Sequence, residues 1–445
     1  MRTDSANRQT RRPRVVILGG GFAGLSAAKA LGRAEVDVTL VDRTNHHVFQ
    51  PLLYQVATAS LAPSDIAVPI RWVLRARRNV TVLMEEAEAV DPARRVVVCA
   101  TPEGRRELPY DYLIVATGAR HSYFGHEEWE AAAPGLKSIE DALEIRNRFL
   151  EAFERAERTD DPARRRAEQT IVVVGGGPTG VELAGIIPGI ATQALRGDFR
   201  RIDTRDTRVV LVEGGPRLLP AFPEPLAERA RRDLEELGVD VRLGSIVTSV
   251  EPGAVQIGEE RIEAGTILWA AGNAASPLAR SLGAPLDRAG RVLVRPDLSL
   301  PGHPEVFVVG DVAAVPQPDG ALVPGVAPAA NQEGRHAARN IERLLRGEAT
   351  TPFRYVDKGN LATIGRHRAI ADFGRLRLTG PVAWWFWLFV HILYLVGFRN
   401  RVTVLIQWAY AYFTYQRGSR LITRPEHRVA ERADAAEESA TATRW

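Results

Sequence analysis

Two stretches of this 445-residue chain follow the same course. In "VVILGGGFAG" (15–24) and "IVVVGGGPTG" (171–180), an apolar run enters a glycine cluster and leaves it as an apolar helical pattern. Short, continuously apolar runs closed by glycine predict strands buried on both faces, so each stretch reads as strand–turn–helix. A second strand follows each one, "VDVTLVD" (36–42) and "TRVVLVE" (207–213), and both end in an acid. Two later runs, "YDYLIVATGA" (110–119) and "GTILWAAGNA" (265–274), end in small residues and glycine, and a third, "EVFVVGDVAAV" (305–315), ends in Gly310-Asp311. The pattern changes near the C-terminus. "VAWWFWLFVHILYLVGF" (382–398) has no charge, and "VTVLIQWAYAYFTY" (402–415) follows it after a short basic link. Between the two repeats, 148–169 is a charged helical stretch expected to be a solvated face and linker.

The repeated strand–turn–helix units predict an α/β fold with two Rossmann-like domains. Each glycine cluster has the spacing G-x-G-x-x-G: Gly19, Gly21 and Gly24, then Gly175, Gly177 and Gly180. The first glycine permits a tight turn, the second admits a pyrophosphate to the backbone, and the third packs helix on strand. The helix N-terminus adds partial positive charge for the phosphates. Asp42, eighteen residues past Gly24, is placed to hold a ribose diol. Glu213 comes thirty-three residues past Gly180 because 192–207 lengthens the crossover. A carboxylate there repels a 2′-phosphate, which favours NADH over NADPH. Thr117, Gly118, Gly272, Gly310 and Asp311 stand at strand ends, where such sheets place ligands; for Asp311 a helix N-cap is the plainer role.

Composition narrows the chemistry. The chain is 45% hydrophobic and 25% charged, with a net charge of +4, so nothing in it calls for nucleic acid. One cysteine, Cys99, excludes an internal disulfide and any cysteine-cluster metal site. His46 and His47 have no spaced partners, so no metal is expected. The polar, Arg-rich N-terminus lacks the apolar stretch of roughly 7–15 residues that a secretory signal needs, which points to the cytoplasm.

Two dinucleotide folds, "ATG" and a late "GD" together resemble the two-dinucleotide-binding-domain flavoproteins of the glutathione-reductase-like superfold, over roughly residues 14 to 345. The resemblance implies FAD on the first unit and NADH on the inserted second. Members that work through thiols carry cysteines soon after the first acid, where this chain reads "DRTNHHVFQPLLYQVATASLAPSD" (42–65) without sulfur. Further stretches are similar to type II NADH:quinone oxidoreductases: "FQPLLYQVATA" (49–59), "GARHSYFGHEEWEAAAPGLKSIEDALEIRNRF" (118–149), "GPTGVELAG" (177–185), "VPGVAPAANQEGRHAARNI" (323–341) and "YVDKGNLATIGRHRAIADF" (355–373). That resemblance implies three catalytic positions: Glu182 near the nicotinamide, Gln332 at the quinone-facing flavin edge, and Lys358 near flavin and quinone. The repeats and the C-terminal pattern set the expected boundaries. The FAD domain takes 14–125 and 291–350, a helical linker 126–168, and the NADH domain 169–290; 351–424 carries anchoring helices and 425–445 a disordered tail.

Two departures stand out. Pro328 replaces the first glutamine of the family motif A-Q-x-A-x-Q, and Pro188 lies deep in the helix after the second glycine loop, where proline kinks or ends a helix. The two C-terminal runs rise about 26 Å and about 21 Å as helices, short of a hydrocarbon core of about 30 Å. Their aromatics and flanking arginines predict an amphipathic anchor lying in one leaflet. A transmembrane hairpin and a buried or homodimer helix are the alternatives. The expected activity is a peripheral enzyme at the cytoplasmic face of the cell membrane that passes electrons from NADH through FAD to menaquinone or ubiquinone without pumping protons, no ionisable relay being visible in the first run beyond His391. A soluble redox-protein acceptor and a non-catalytic NADH-binding flavoprotein are the rivals.

Overall fold

The computed structural model describes residues 11–414 and 419–423. The first ten residues and the tail expected over 425–445 lie outside the described residues. The chain divides into two compact units.

The first unit comprises the chain up to Phe49, Ala67–Ser122 and Gly272–Gly359. Its sheet runs in the order Ser299–Leu300, His303–Val308, Tyr112–Val115, Arg14–Leu18, Asp37–Asp42, Val80–Met84. All neighbours pair in parallel except the short edge pair of Ser299–Leu300 with His303–Val308. The central strand Arg14–Leu18 is buried from Val15 onward, which is why its sequence is apolar without alternation. Strand order reverses beside it, and that switch point is where an open α/β sheet leaves a crevice. The helix Phe22–Leu31 packs on the helix Ala327–Leu345 at almost backbone distance. A Cβ on Gly334 would stand 2.0 Å from the Ala23 carbonyl oxygen, and Ser26 Oγ donates to Asn331 Oδ1 at 2.6 Å.

The second unit comprises Gln50–Ile66, Tyr123–Ala271 and the chain from Asn360. It repeats the device with a parallel sheet ordered Val239–Arg242, Arg208–Val212, Thr170–Val174, Thr266–Trp269. The helix Ile139–Arg158 lies in this unit, and the expectation of a solvated face fails here. Phe149, Leu150, Phe153 and Ala156 are buried, together with Arg146, Asn147 and Glu151. The apolar positions recur at three- and four-residue spacing, a stripe that the charges between them obscured. The short helix Pro162–Glu168 has no buried residue.

The helix Pro178–Gly189 follows the second glycine loop and runs through Pro188. It loses α geometry only after Gly189, widening into a π turn over Ile190–Ala194. Thr192 Oγ1 donates to the Pro188 carbonyl at 2.8 Å and holds the widened turn. Pro188 therefore marks a change of pitch, not an end.

The antiparallel sheet Asn360–Thr363, Ala369–Asp372, Arg377–Thr379 leads into two helices, Gly380–Tyr394 and Phe398–Thr414. The expected basic link lies inside the first turn of the second helix, where Asn400 Nδ2 donates to the Ser64 carbonyl at 3.2 Å. Among the described residues no helix is long and apolar enough to cross a membrane. Trp387 stacks on Trp408 at 5.4 Å between ring centroids, joining the two helices.

The hairpin meets the Pro178–Gly189 helix through glycine. A Cβ on Gly185 would lie 2.8 Å from the Ile364 carbonyl carbon, and one on Gly365 would lie 2.7 Å from the Gly185 carbonyl oxygen. Gly185→Ala is expected to lower stability by about 1–3 kcal/mol, because two backbones must separate to admit the methyl. A denaturant midpoint unchanged from the parent would show that the contact yields freely.

Candidate functional site

Each glycine loop is shaped by what a side chain would strike. A Cβ on Gly19 would lie 2.4 Å from the Ala116 carbonyl oxygen, and one on Gly24 would lie 1.9 Å from the Gly19 carbonyl oxygen. Gly175 and Gly180 repeat these collisions at 2.6 Å from the Ala270 carbonyl carbon and 1.8 Å from the Gly175 carbonyl oxygen. The middle glycines differ: a Cβ on Gly21 or Gly177 meets nothing within 4 Å. Both face open space at a helix N-terminus with no acid in its first turn. That leaves the partial charge of each helix end to an anion.

The strand-end acids are already held by backbone donors. Asp42 accepts from the Gly20 N–H at 2.6 Å, the Thr44 N–H at 2.7 Å and the Thr44 hydroxyl at 2.8 Å. Glu213 accepts from the Gly176 N–H at 2.5 Å and the Gly215 N–H at 2.6 Å. Asp42 Oδ2 and both Glu213 oxygens accept one bond each and keep a second acceptor direction, so a ribose diol can be received without breaking these bonds. His47 is buried with Nδ1 2.9 Å from the Gly20 carbonyl oxygen, and burial pushes its pKa down to about 4. It is therefore a neutral brace for the first loop.

In the first unit, Thr117 and Gly118 follow the strand Tyr112–Val115 and lead to Ala119. A cavity of about 200 Å³ is lined there by Ala119, Arg291, Gly310, Asp311, Ala330 and Glu333. Gly272 and Gly310 both have positive φ, 72° and 75°. The unit fits a flavin dinucleotide on two counts: the open space at Gly21, and the Thr117 hydroxyl, which is buried without a hydrogen-bond partner. Glu333 was not singled out by sequence. It accepts from the Gly310 N–H at 2.5 Å, and burial raises its carboxyl to about 7.

Gln332 is held at both ends of its side-chain amide. Its Nε2 donates to the Val356 carbonyl and its Oε1 accepts from the Val356 N–H, both at 3.0 Å. This two-point tie fixes the segment that carries Lys358, which is exposed two residues on. Pro328 sits in the first turn of the helix Ala327–Leu345, where no intrahelical donor is lost.

In the second unit a cavity of about 380 Å³ is lined by Tyr54, Gln55, Glu182, Trp384, Trp387 and Trp408, among others. Glu182, expected near the nicotinamide, has its side chain in this wall. Desolvation raises its carboxyl to about 8, against one opposing backbone hydrogen bond from Thr363. Buried Gln55 accepts from Trp408 Nε1 at 2.8 Å and donates to the Tyr54 hydroxyl at 3.0 Å. Sequence reading passed over Gln55, whose one signal was a polar residue inside the apolar run "LLYQVA". Cys99 lies elsewhere, buried, with its thiol pushed up to about 11 by desolvation. Among the described residues no group of three candidate ligands is set to hold a metal ion.

Known proteins share this sequence and this fold over most of the chain. The family described as pyridine nucleotide-disulphide oxidoreductase matches residues 13–334, and the NDH2 C-terminal domain matches 358–415. A type II NADH:quinone oxidoreductase of Mycobacterium tuberculosis is 47% identical over 93% of this chain and 91% of its own. The chain belongs to the type II NADH:quinone oxidoreductases. A second member, from Haemophilus influenzae, is 31% identical over 82% of this chain and 89% of its own. The structure of NDH2 from Plasmodium falciparum in complex with NADH has the same fold, with a TM-score of 0.85 at 21% identity, covering 93% of this chain and all of that one.

Glu213→Ala is expected to weaken NADH binding roughly 10- to 100-fold, the worth of charge-assisted hydrogen bonds of about 1.5–3 kcal/mol, and to narrow the preference over NADPH. Steady-state KM values for both nucleotides measure it. An unchanged ratio would remove Glu213 from the ribose site.

Proposed function

We propose that the protein is a peripheral membrane enzyme that oxidises NADH and reduces a quinone at the aromatic cavity of the second unit. FAD and NADH are its cofactors. The first glycine loop with Asp42, Thr117, Gly118, Gly272, Gly310 and Asp311 would hold the flavin dinucleotide. Held there, FAD would supply hydride acceptance from NADH and two-electron delivery to the acceptor. The second loop with Glu213 would hold NADH.

The observation that carries the reading is Glu182 in the wall of an apolar, aromatic cavity. Reduction of a quinone to a quinol takes up two protons as well as two electrons. A carboxyl raised to about 8 is protonated at neutral pH, so Glu182 is a proton donor placed where a quinone carbonyl would arrive. Gln332, by holding Val356, would keep Lys358 beside the flavin. The assignment of 14–125 with 291–350 to FAD and of 169–290 to NADH follows from the same reading.

Since the folded pKa lies above the ordinary carboxyl range, the donor form is full below it and lost as pH rises through about 8. Quinone reduction by the parent should fall above that pH. Glu182→Gln should cut kcat for quinone by about 100-fold, within the range of one general acid, and abolish that limb. NADH-driven bleaching of the flavin in stopped flow should change little. A variant with parental quinone turnover and pH profile would sink the proton-donor role.

The C-terminal helices supply the membrane surface. Phe389 is 62% exposed, Phe398 81% and Ile406 62%, an unusual display of large apolar side chains. They would lie in the headgroup boundary of the cytoplasmic leaflet, and a homodimer is the alternative partner for the same face. The triple variant Phe389→Gln, Phe398→Gln, Ile406→Gln should no longer float with anionic liposomes while flavin reduction persists. Flotation at the parental level, with a lower solution mass, would favour the dimer instead.

A further inference from the structure

The function proposed above leaves Pro188-Gly189 without a task, and the geometry of the cavity wall supplies one. Glu182, Ile186 and Gly189 all line the cavity. At offsets of four and seven residues they share one face of the helix. Gly189 has φ −67° and ψ −28°, ordinary right-handed geometry that any residue adopts. No turn or positive φ requires glycine here. A Cβ at this position would meet nothing within 4 Å, unlike one on Gly185 a turn earlier, which strikes the hairpin backbone. Glycine is also the poorest helix former after proline. Two such residues in succession weaken the helix at the place where it widens into the π turn, and the space in front of Gly189 belongs to the cavity.

We propose that Gly189 sets the width of the passage that receives the isoprenoid tail of the quinone, so that it is a specificity-determining residue for tailed substrates. The inference rests on the quinone reading of the cavity. Seven residues of helix separate Gly189 from Glu182, about 10 Å along the wall. With the quinone ring at Glu182, the tail runs past Gly189, and a side chain there narrows its path without touching the proton donor. Pro188 assists by having no N–H to close the turn before it, so the helix is weakened on the approach to Gly189.

The test is a size series at one position. Gly189→Ala should raise KM for a quinone with isoprenoid units a few-fold, and Gly189→Leu tenfold or more. KM for a tail-less quinone should stay within twofold in both. Binding of the tailed quinone, read without turnover as quenching of tryptophan fluorescence, should weaken in the same order. The thermal midpoint of Gly189→Ala should equal or exceed the parent's, because the added methyl enters open space. Flavin bleaching by NADH should be unchanged in Gly189→Ala. An unaltered KM for the tailed quinone in Gly189→Leu would overturn the proposal. So would equal losses for tailed and tail-less quinones in both variants, or a lowered midpoint for Gly189→Ala. A parent enzyme that bleaches with NADH and reduces no quinone of either kind would instead overturn the functional reading itself.

Discussion

The approach of two backbones at Gly185 and Gly365 is the constraint on which the second unit depends. Helix and hairpin come close enough that neither position tolerates a Cβ without movement. That approach sets a Thr363 backbone hydrogen bond against the Glu182 carboxyl. The hairpin in turn delivers the chain into the helix Gly380–Tyr394, whose Trp387 closes over the cavity and stacks on Trp408. Trp408 reaches back to Gln55, a residue more than three hundred positions earlier. A single close contact thus gathers the glycine-loop helix, the hairpin and the C-terminal helices around one space.

Environment divides the carboxylates of this chain into two kinds. Asp42 and Glu213 stand at the C-terminal ends of interior strands and are met by three and two donors, so their charge is satisfied where a ligand's hydroxyls would join it. Glu182 and Glu333 are withdrawn from water with one backbone hydrogen bond apiece, and both are raised, to about 8 and about 7. The same functional group becomes a fixed acceptor in one setting and an exchangeable proton in the other. Each lines a cavity of its own unit: Glu333 there braces the Gly310 turn, and Glu182 faces the aromatic space.

The sheets and loops were legible because their signals are local. Apolar runs, glycine spacing and a terminal acid all fall within a few dozen residues, and steric collisions at Gly19, Gly24, Gly175 and Gly180 explain why the spacing admits no substitute. What escaped was long-range and carried no period. The insertion at 192–207 looked like mere extra length, yet Glu157 accepts from the backbone N–H groups of Arg200, Arg201 and Ile202 and fixes it. Arg420 then pairs with Asp198 and the Ala194 carbonyl, while Thr423 bonds Asn147 through its backbone. The insertion is a clasp for the chain beyond the second C-terminal helix, and no motif announces that. Gln332 shows the converse: its motif was legible, but the tie to Val356 that engages both ends of its amide was not.

The tryptophan-rich segment answers to two demands at once. A helix apolar on every side fits neither a solvated surface nor, at this length, a membrane span. In the helix Gly380–Tyr394, Ala383 and Trp387 are buried, while Val382, Trp385, Phe389 and Leu393 are exposed by half or more. The inward residues build the cavity wall; the outward ones, on the proposed reading, lie in lipid. On that reading, a cavity walled in part by the exposed Trp385, Leu405 and Phe413 would let a lipid-dissolved acceptor reach Glu182 without crossing water.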